Sequence, residues 1–265
     1  MYEKELQTAV AAAMQAGALL MKMSRGKLSV KYKSPIDLVT GADRASEALI
    51  ISIIRKAFPG DDIMTEESRD QRTSSKRRWI IDPLDGTTNY AHGFPAAAVS
   101  IGFSEKGVIK AGGVYDPFRK ELFLAERGRG SFVNGRRLAV SKTPSVSKAL
   151  LVTGFPYDRA ERAEFYCRFL AEFMKLSHDV RRMGSASLDL CWLAAGRTDG
   201  YWEYGLKPWD VAAGKLILEE AGGKVTDFSG ARWKVEEKMG SQTLATNGRV
   251  HAAMLAVIKR IARAR

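Results

Sequence analysis

Apolar side chains recur at helical spacing from residue 3 to residue 24, in two blocks, Ala9–Met14 and Ala16–Met21, broken only by Gln15. The pattern predicts one long amphipathic helix that ends near Gly26. Ser29–Tyr32 alternates and predicts a strand, Lys33–Asp37 contains Pro35 and predicts a loop, and Leu38–Thr40 is short and apolar. Between Gly41 and Phe58 the apolar positions Ala45, Ala48, Leu49, Ile51, Ile53 and Ile54 suit a buried helix, stopped by Pro59-Gly60. Ile63–Thr65 is a brief strand. Trp79–Ile81 is a bulky run that reads as a buried strand ending at Asp82, closed by Pro83. Ala96–Phe103, Val108–Val114 and Glu121–Ala125 form a strand meander, with Gly128–Gly135 supplying turns. A polar stretch over 140–148 follows, and then strands and helices alternate. Strands are expected at Leu150–Thr153, Asp179–Met183, Gly200–Tyr204 and Leu244–Thr246, and helices at Arg159–Lys175, Ser185–Ala195, Trp209–Ala221 and Val250–Ala264. The alternation predicts layered α and β structure, an α+β or α/β sandwich. A chain of 265 residues suits one large domain or two packed halves. The polar stretch divides it into an N-terminal half, 1–145, and a C-terminal half, 146–265.

Composition narrows the setting. The first residues lack the positive start and small-residue cleavage site of a signal peptide, and no run is long enough to span a bilayer. A cytoplasmic protein is expected. Cys167 and Cys191 have no disulfide or zinc-site spacing and read as buried thiols; His92, His178 and His251 form no ligand pair. The net charge is +12, with basic residues spread along the chain. Such a balance is compatible with an RNA or acidic-protein partner, but also with an ordinary solvated surface or an anionic small substrate. No nucleic-acid motif stands out.

The chemistry gathers at Asp82-Pro83-Leu84-Asp85-Gly86-Thr87-Thr88-Asn89. Two carboxylates leave a buried strand three residues apart, and Asp85 is placed to cap a helical turn whose free N–H groups favour an anion. That juxtaposes a hard-cation site with a phosphate site, the combination used in metal-assisted phosphoryl transfer to water. Asp-Pro and Asp-Gly are also ordinary turn residues. Three further acidic positions stand at element ends: Asp43, Glu66 and Asp210. Asp43 and Asp210 equally suit helix capping.

The string from Asp82 to Tyr90 resembles the signature of the inositol monophosphatase family. Four other segments resemble family elements: Ser34–Asp43, Thr65-Glu66-Glu67-Ser68, Trp209–Gly214, and Gly184-Ser185-Ala186 onward to Gly196. The resemblance implies a sandwich of alternating α-β-α-β-α layers, like that of inositol monophosphatase and fructose-1,6-bisphosphatase. It implies two or three Mg²⁺ per site, one held by Glu66, Asp82 and the Leu84 carbonyl and a second by Asp82, Asp85 and Asp210. Whether Lys33 or Glu67 assists is left open. It also implies that Thr87 and Asp43 orient the attacking water and that the N–H groups of Gly86 and Thr87 cradle the phosphate. Asp85, Gly184, Ser185, Ala186, Glu203 and Asp210 then face the substrate; Arg182, just before Gly184, suits a phosphate or hydroxyl contact and equally a surface role. The expected activity is Mg²⁺-dependent hydrolysis of a polyol phosphate monoester, foremost myo-inositol monophosphate. Fructose 1,6-bisphosphate and adenosine 3′,5′-bisphosphate are the alternatives. A homodimer, inhibition by Li⁺ and, in addition, an RNA or transcription-complex partner are also expectations of the resemblance.

Overall fold

The computed structural model describes residues 1–26, 30–34, 37–68, 70, 73, 75–233 and 239–263. The chain begins with helix α1 (Glu3–Met23), a hairpin of β1 (Val30–Ser34) and β2 (Asp37–Thr40), and helix α2 (Gly41–Ala57). Next come β3 (Asp62–Thr65), β4 (Arg77–Asp85), the short helix α3 (Thr87–Ala91), and the strands β5 (Ala98–Glu105), β6 (Val108–Asp116), β7 (Glu121–Glu126), β8 (Gly130–Val133) and β9 (Arg136–Arg137). The remainder is β10 (Leu150–Thr153), α4 (Arg159–Leu176), β11 (Asp179–Arg181), α5 (Ala186–Ala194), β12 (Gly200–Tyr204), α6 (Pro208–Glu220), β13 (Lys224–Thr226), β14 (Gln242–Thr246) and α7 (His251–Arg263).

Two sheets result. The first runs β3 to β9 in chain order, antiparallel except where β3 lies parallel to β4. The second has the order β11-β10-β12-β14-β13, with β10 parallel to both of its neighbours. The apolar faces decide how they stack. The alanine stripe of α1 (Ala9, Ala12, Ala13, Ala16) and Ile50 and Ile54 of α2 pack with Trp79, Ile81 and Phe103 on the outer face of the first sheet. On its inner face Ile80, Val114 and Phe123 meet α5 and α6, which in turn meet Val152, Tyr201 and Ala245 of the second sheet. Phe169 and Phe173 of α4 and Met254 and Ile258 of α7 cover the far side with Leu151 and Trp202. The layers therefore alternate α-β-α-β-α, an α+β sandwich in which each fully buried Leu, Ile or Phe contributes about 1.5–3 kcal/mol. The inner helices sit unusually close to their neighbours. A Cβ on Gly214 of α6 would lie 2.8 Å from Leu190 Cβ, and one on Gly112 of β6 would lie 3.1 Å from Ala213 Cα. Among the described residues no helix is long and apolar enough to cross a membrane.

Several expectations are corrected. The strand read as ending at Asp82 continues to Asp85, because the chain absorbs Pro83 in a bulge instead of stopping. Gly128–Gly135, read as turns, contains β8, which pairs with β7. The segment 33–37, read as a loop, includes strand residues of the β1–β2 hairpin, and Ser29 lies outside the described residues. The strand expected over Asp179–Met183 stops at Arg181, and β13 carried too few apolar residues to be anticipated. Cys191 is buried, but Cys167 is exposed, on the face of α4 opposite Tyr166, Phe169 and Phe173.

Candidate active site

Strand periodicity alone would send Asp82 and Asp85 to opposite faces of the sheet, since residues three apart differ in parity. The bulge reverses this. Asp82 pairs with Ser100 and Asp85 with Ala98, so β4 spends one more residue than β5 between these points. Pro83 has no N–H to lose there, and its carbonyl accepts from Ser46 Oγ of α2 at 2.7 Å. Both aspartates consequently point with Ile80 into the layer between the sheets. Leu84 N–H donates to Asp82 Oδ1 at 3.0 Å and holds the bulge in shape.

Gly86, at φ +89°, is the N-cap of α3. A Cβ there would stand 2.8 Å from the Ala96 carbonyl oxygen, so both conformation and space demand glycine. Asp85 does not cap this turn as expected. Its Oδ2 accepts instead from Ser185 Oγ (2.7 Å), Ser187 N–H (2.7 Å) and Ser187 Oγ (2.5 Å) at the start of α5. One carboxylate thus ties the end of β4 to the C-terminal half.

Asp43 and Asp210 both bond to the starts of their helices, and Asp43 in addition meets Thr87. Asp43 Oδ2 accepts from the N–H and hydroxyl of Thr40, closing the start of α2, while Oδ1 is 2.9 Å from Thr87 Oγ. Thr87 Oγ is also 2.9 Å from the Leu84 carbonyl oxygen, and its single proton serves one acceptor at a time. Asp210 Oδ2 accepts from Lys207 N–H at 2.7 Å at the start of α6.

Asp82, Asp85, Gly86, Thr87 and Asp210 line one cavity of about 370 Å³, together with Glu66, Leu84, Thr88, Gly184, Ala186 and Glu203, while Asp43 touches it only through its bond to Thr87. Burial, and then the charges of Glu66, Asp85 and Asp210, hold the Asp82 carboxyl well above the ordinary carboxylate range. Burial followed by Asp85 likewise raises Asp210, and burial raises Asp85 against the pull of its serine donors. Burial also raises Asp43, opposed by its bonds to Thr40 and Thr87. No described Lys or Arg pairs with Asp82, Asp85 or Asp210. This is an excess of buried negative charge with oxygen donors only, the donor set that a hard divalent cation takes. The carboxylates are not drawn around one point: among the described residues no three acidic, His or Cys side chains stand at metal-ligand spacing. Asp85 and Asp210 each give one oxygen to a helix start instead. The side chain of Lys33 lies outside the described residues, and Glu67 lines no part of the cavity.

On the other side of the cavity, burial pushes Glu203 up to about 7, with its hydrogen bond from Tyr201 opposing. Gly154 makes room for it, since a Cβ there would fall 2.0 Å from Glu203 Oε2. Arg182 is exposed overall, yet its guanidinium lies against Gly184 and 6.0 Å from the Phe155 ring centroid. Below, Asp189 of α5 is fully buried with Oδ1 lacking a partner, and burial then Glu203 hold its carboxyl well above the ordinary range.

Sequence reading missed Glu47. It is buried in α2, one turn after Asp43, and its Oε2 accepts from Thr65 Oγ at 2.6 Å and Glu67 N–H at 3.0 Å. Its Oε1 accepts from Ser68 Oγ. Glu66 is therefore clamped on both sides. The available signal was helical spacing: Asp43, Ser46, Glu47, Ile50 and Ile54 share one buried face, and polar residues on such a face need partners.

Comparison with known proteins identifies the family. The model for the inositol monophosphatase family matches residues 1–263. The Nus factor SuhB of Escherichia coli (strain K12) is 44% identical over 254 residues, covering 95% of this chain and 94% of that protein. A solved inositol monophosphatase from Anabaena is 45% identical, with a TM-score of 0.87 over 97% of this chain and 96% of that one. The extragenic suppressor protein suhB from Bartonella henselae is 40% identical, with a TM-score of 0.91 over 96% of this chain and 98% of that one. On the family match, the relatives and the shared layers, the chain belongs to the inositol monophosphatase family.

Proposed function

We propose that the protein is a cytoplasmic Mg²⁺-dependent phosphatase that hydrolyses a polyol phosphate monoester, foremost myo-inositol monophosphate. The observation that carries this reading is the single cavity lined by Glu66, Asp82, Asp85 and Asp210 beside the Thr87–Asp43 hydrogen bond. Glu66, Asp82, the Leu84 carbonyl, Asp85 and Asp210 would hold two or three Mg²⁺. Bound there, the metal supplies a water more acidic than bulk water and offsets charge on the phosphate oxygens. Asp43 Oδ1 accepts the Thr87 proton, which leaves the Thr87 oxygen to accept from the attacking water and aim it. The N–H groups of Gly86 and Thr87, at the start of α3, donate to the phosphoryl oxygens. Glu203 and the Gly184–Ala186 turn receive the alcohol's hydroxyl groups. Asp210→Asn removes one of the expected ligand charges while keeping an acceptor for Lys207 N–H. Phosphate release from myo-inositol 1-phosphate should fall by about 10² or more, with the far-ultraviolet spectrum unchanged. Full turnover in that variant would sink the assignment.

A second, additional role is suggested by the net charge of +12 and by relatives that bear the name Nus factor. Binding to RNA or to an acidic protein of a transcription complex should then weaken steeply with salt. No retention of labelled RNA at low ionic strength would remove the RNA half of that reading.

A further inference from the structure

Two turns line the cavity and nearly touch: Gly86-Thr87, between β4 and α3, and Gly184–Ala186, before α5. A Cβ on Gly86 would stand 3.2 Å from the Gly184 carbonyl oxygen. Asn89, in α3, lines no part of the cavity, yet it holds these turns together. Its side-chain amide donates to the Met183 carbonyl and the Ala96 carbonyl, each at 2.8 Å, with the Gly184 carbonyl at 3.3 Å. An amide carries two N–H groups, so the two short bonds use both and Gly184 shares one of them. The bond to Ala96 spans 7 residues and closes the loop after α3. The bond to Met183 spans 94 and fastens α3 to the turn before α5. Gly184, at φ +89°, leaves room for it, since a Cβ there would stand 3.0 Å from the Asn89 amide nitrogen. Asp85 thus takes the donors of this turn, from Ser185 and Ser187, and Asn89 takes its carbonyls.

We propose that Asn89 is a positioning residue: it fixes the distance between the N–H groups that receive the phosphate and the turn that receives the alcohol, and so aligns a polyol ester for attack. The inference rests on the phosphatase reading above. Asn89 acts through the Met183 and Gly184 carbonyls, so its effect falls on esters that engage both turns. An aryl ester such as p-nitrophenyl phosphate engages only the phosphate turn, because its leaving group has no hydroxyl for Gly184–Ala186 to receive. A displacement of about 1 Å between reacting groups costs about 10²-fold in rate.

The test uses the full chain with Mg²⁺, the variants Asn89→Ala and Asn89→Asp, and two probes, myo-inositol 1-phosphate and p-nitrophenyl phosphate. Asn89→Asp keeps the size of the side chain but offers the three carbonyls no amide donor. In both variants kcat for myo-inositol 1-phosphate should fall by about thirty- to a hundredfold. Turnover of p-nitrophenyl phosphate and inhibition by inorganic phosphate should stay within about twofold of wild type. A loss of folded protein would lower both probes alike, so the split itself separates positioning from stability. An equal loss on both probes, no loss on either, or failure of both variants to fold would overturn the positioning role and leave the phosphatase reading standing. No turnover of myo-inositol 1-phosphate by wild type would overturn that reading and this inference with it.

Discussion

Glu47→Ala tests whether α2 does more than fill space. The substitution removes one carboxylate that serves three donors on the Thr65–Ser68 turn: the Thr65 hydroxyl, the Glu67 N–H and the Ser68 hydroxyl. A hydrogen bond to a charged group contributes about 1.5–3 kcal/mol. Thr65 is 3% exposed, so its hydroxyl stays unpaired, whereas Ser68 is exposed and regains water. Glu67 lies between these cases. The expected loss is about 3 kcal/mol, a fall in Tm of about 6–12 °C for a chain of this size. Glu47→Gln keeps an oxygen for Thr65 and Glu67 and should lose only about 1 kcal/mol. Urea unfolding followed by tryptophan fluorescence measures both. The functional half of the argument needs its own readout, because Glu66 lies between the two clamped residues. Its release should raise the Mg²⁺ concentration for half-maximal activity by about tenfold in Glu47→Ala, with partial rescue in Glu47→Gln. Stability within about 0.5 kcal/mol of wild type would refute the buried-acceptor reasoning. A stability loss with an unmoved Mg²⁺ midpoint would confine Glu47 to a structural role.

Thr87→Val keeps the shape of α3 but removes the hydroxyl that Asp43 Oδ1 receives; kcat should fall by about 10²–10³ with little change in KM, as steady-state kinetics would show, and an unchanged kcat would exclude Thr87 from aiming water. His251 makes a pH prediction independent of the active site. Both its ring nitrogens face threonine hydroxyls, Thr226 at 3.1 Å and Thr246 at 3.0 Å, and burial, aided by Lys224, pushes its pKa down to about 4. The folded form resists protonation, so its stabilisation is full above the unfolded value near 6.5 and is lost as pH falls through 4. The full shift converts to about 3 kcal/mol, or about 2 after solvent screening. Buried carboxylates such as Glu203 work in the opposite direction, because a raised acid gains stability as pH falls. The histidine effect is therefore the difference between wild type and His251→Phe: between pH 7.5 and 4.5 wild type should lose about 2 kcal/mol more, and parallel profiles would refute it.

The amino-acid sequence determined the local elements and the chemistry carried by each. Helical spacing marked α1, α2, α4 and α6, and the Asp82–Tyr90 string placed two carboxylates beside a glycine turn. These features depend on near neighbours along the chain, so a linear reading reaches them. Tertiary structure decided how they combine. The bulge at Pro83 exists through pairing with β5 and the bond from Ser46, and it alone brings Asp82 and Asp85 to one face. Asp85 gave up the expected capping role because α5, a hundred residues later, presents three donors to it. Glu47 carried no motif, and its role appears only when Thr65 and Glu67 fold against α2. Asn89 stands inside the signature string, and only the fold brings the Met183 and Gly184 carbonyls to its amide. In each case the deciding contact is long-range, and its partner cannot be read from the pattern of either segment alone.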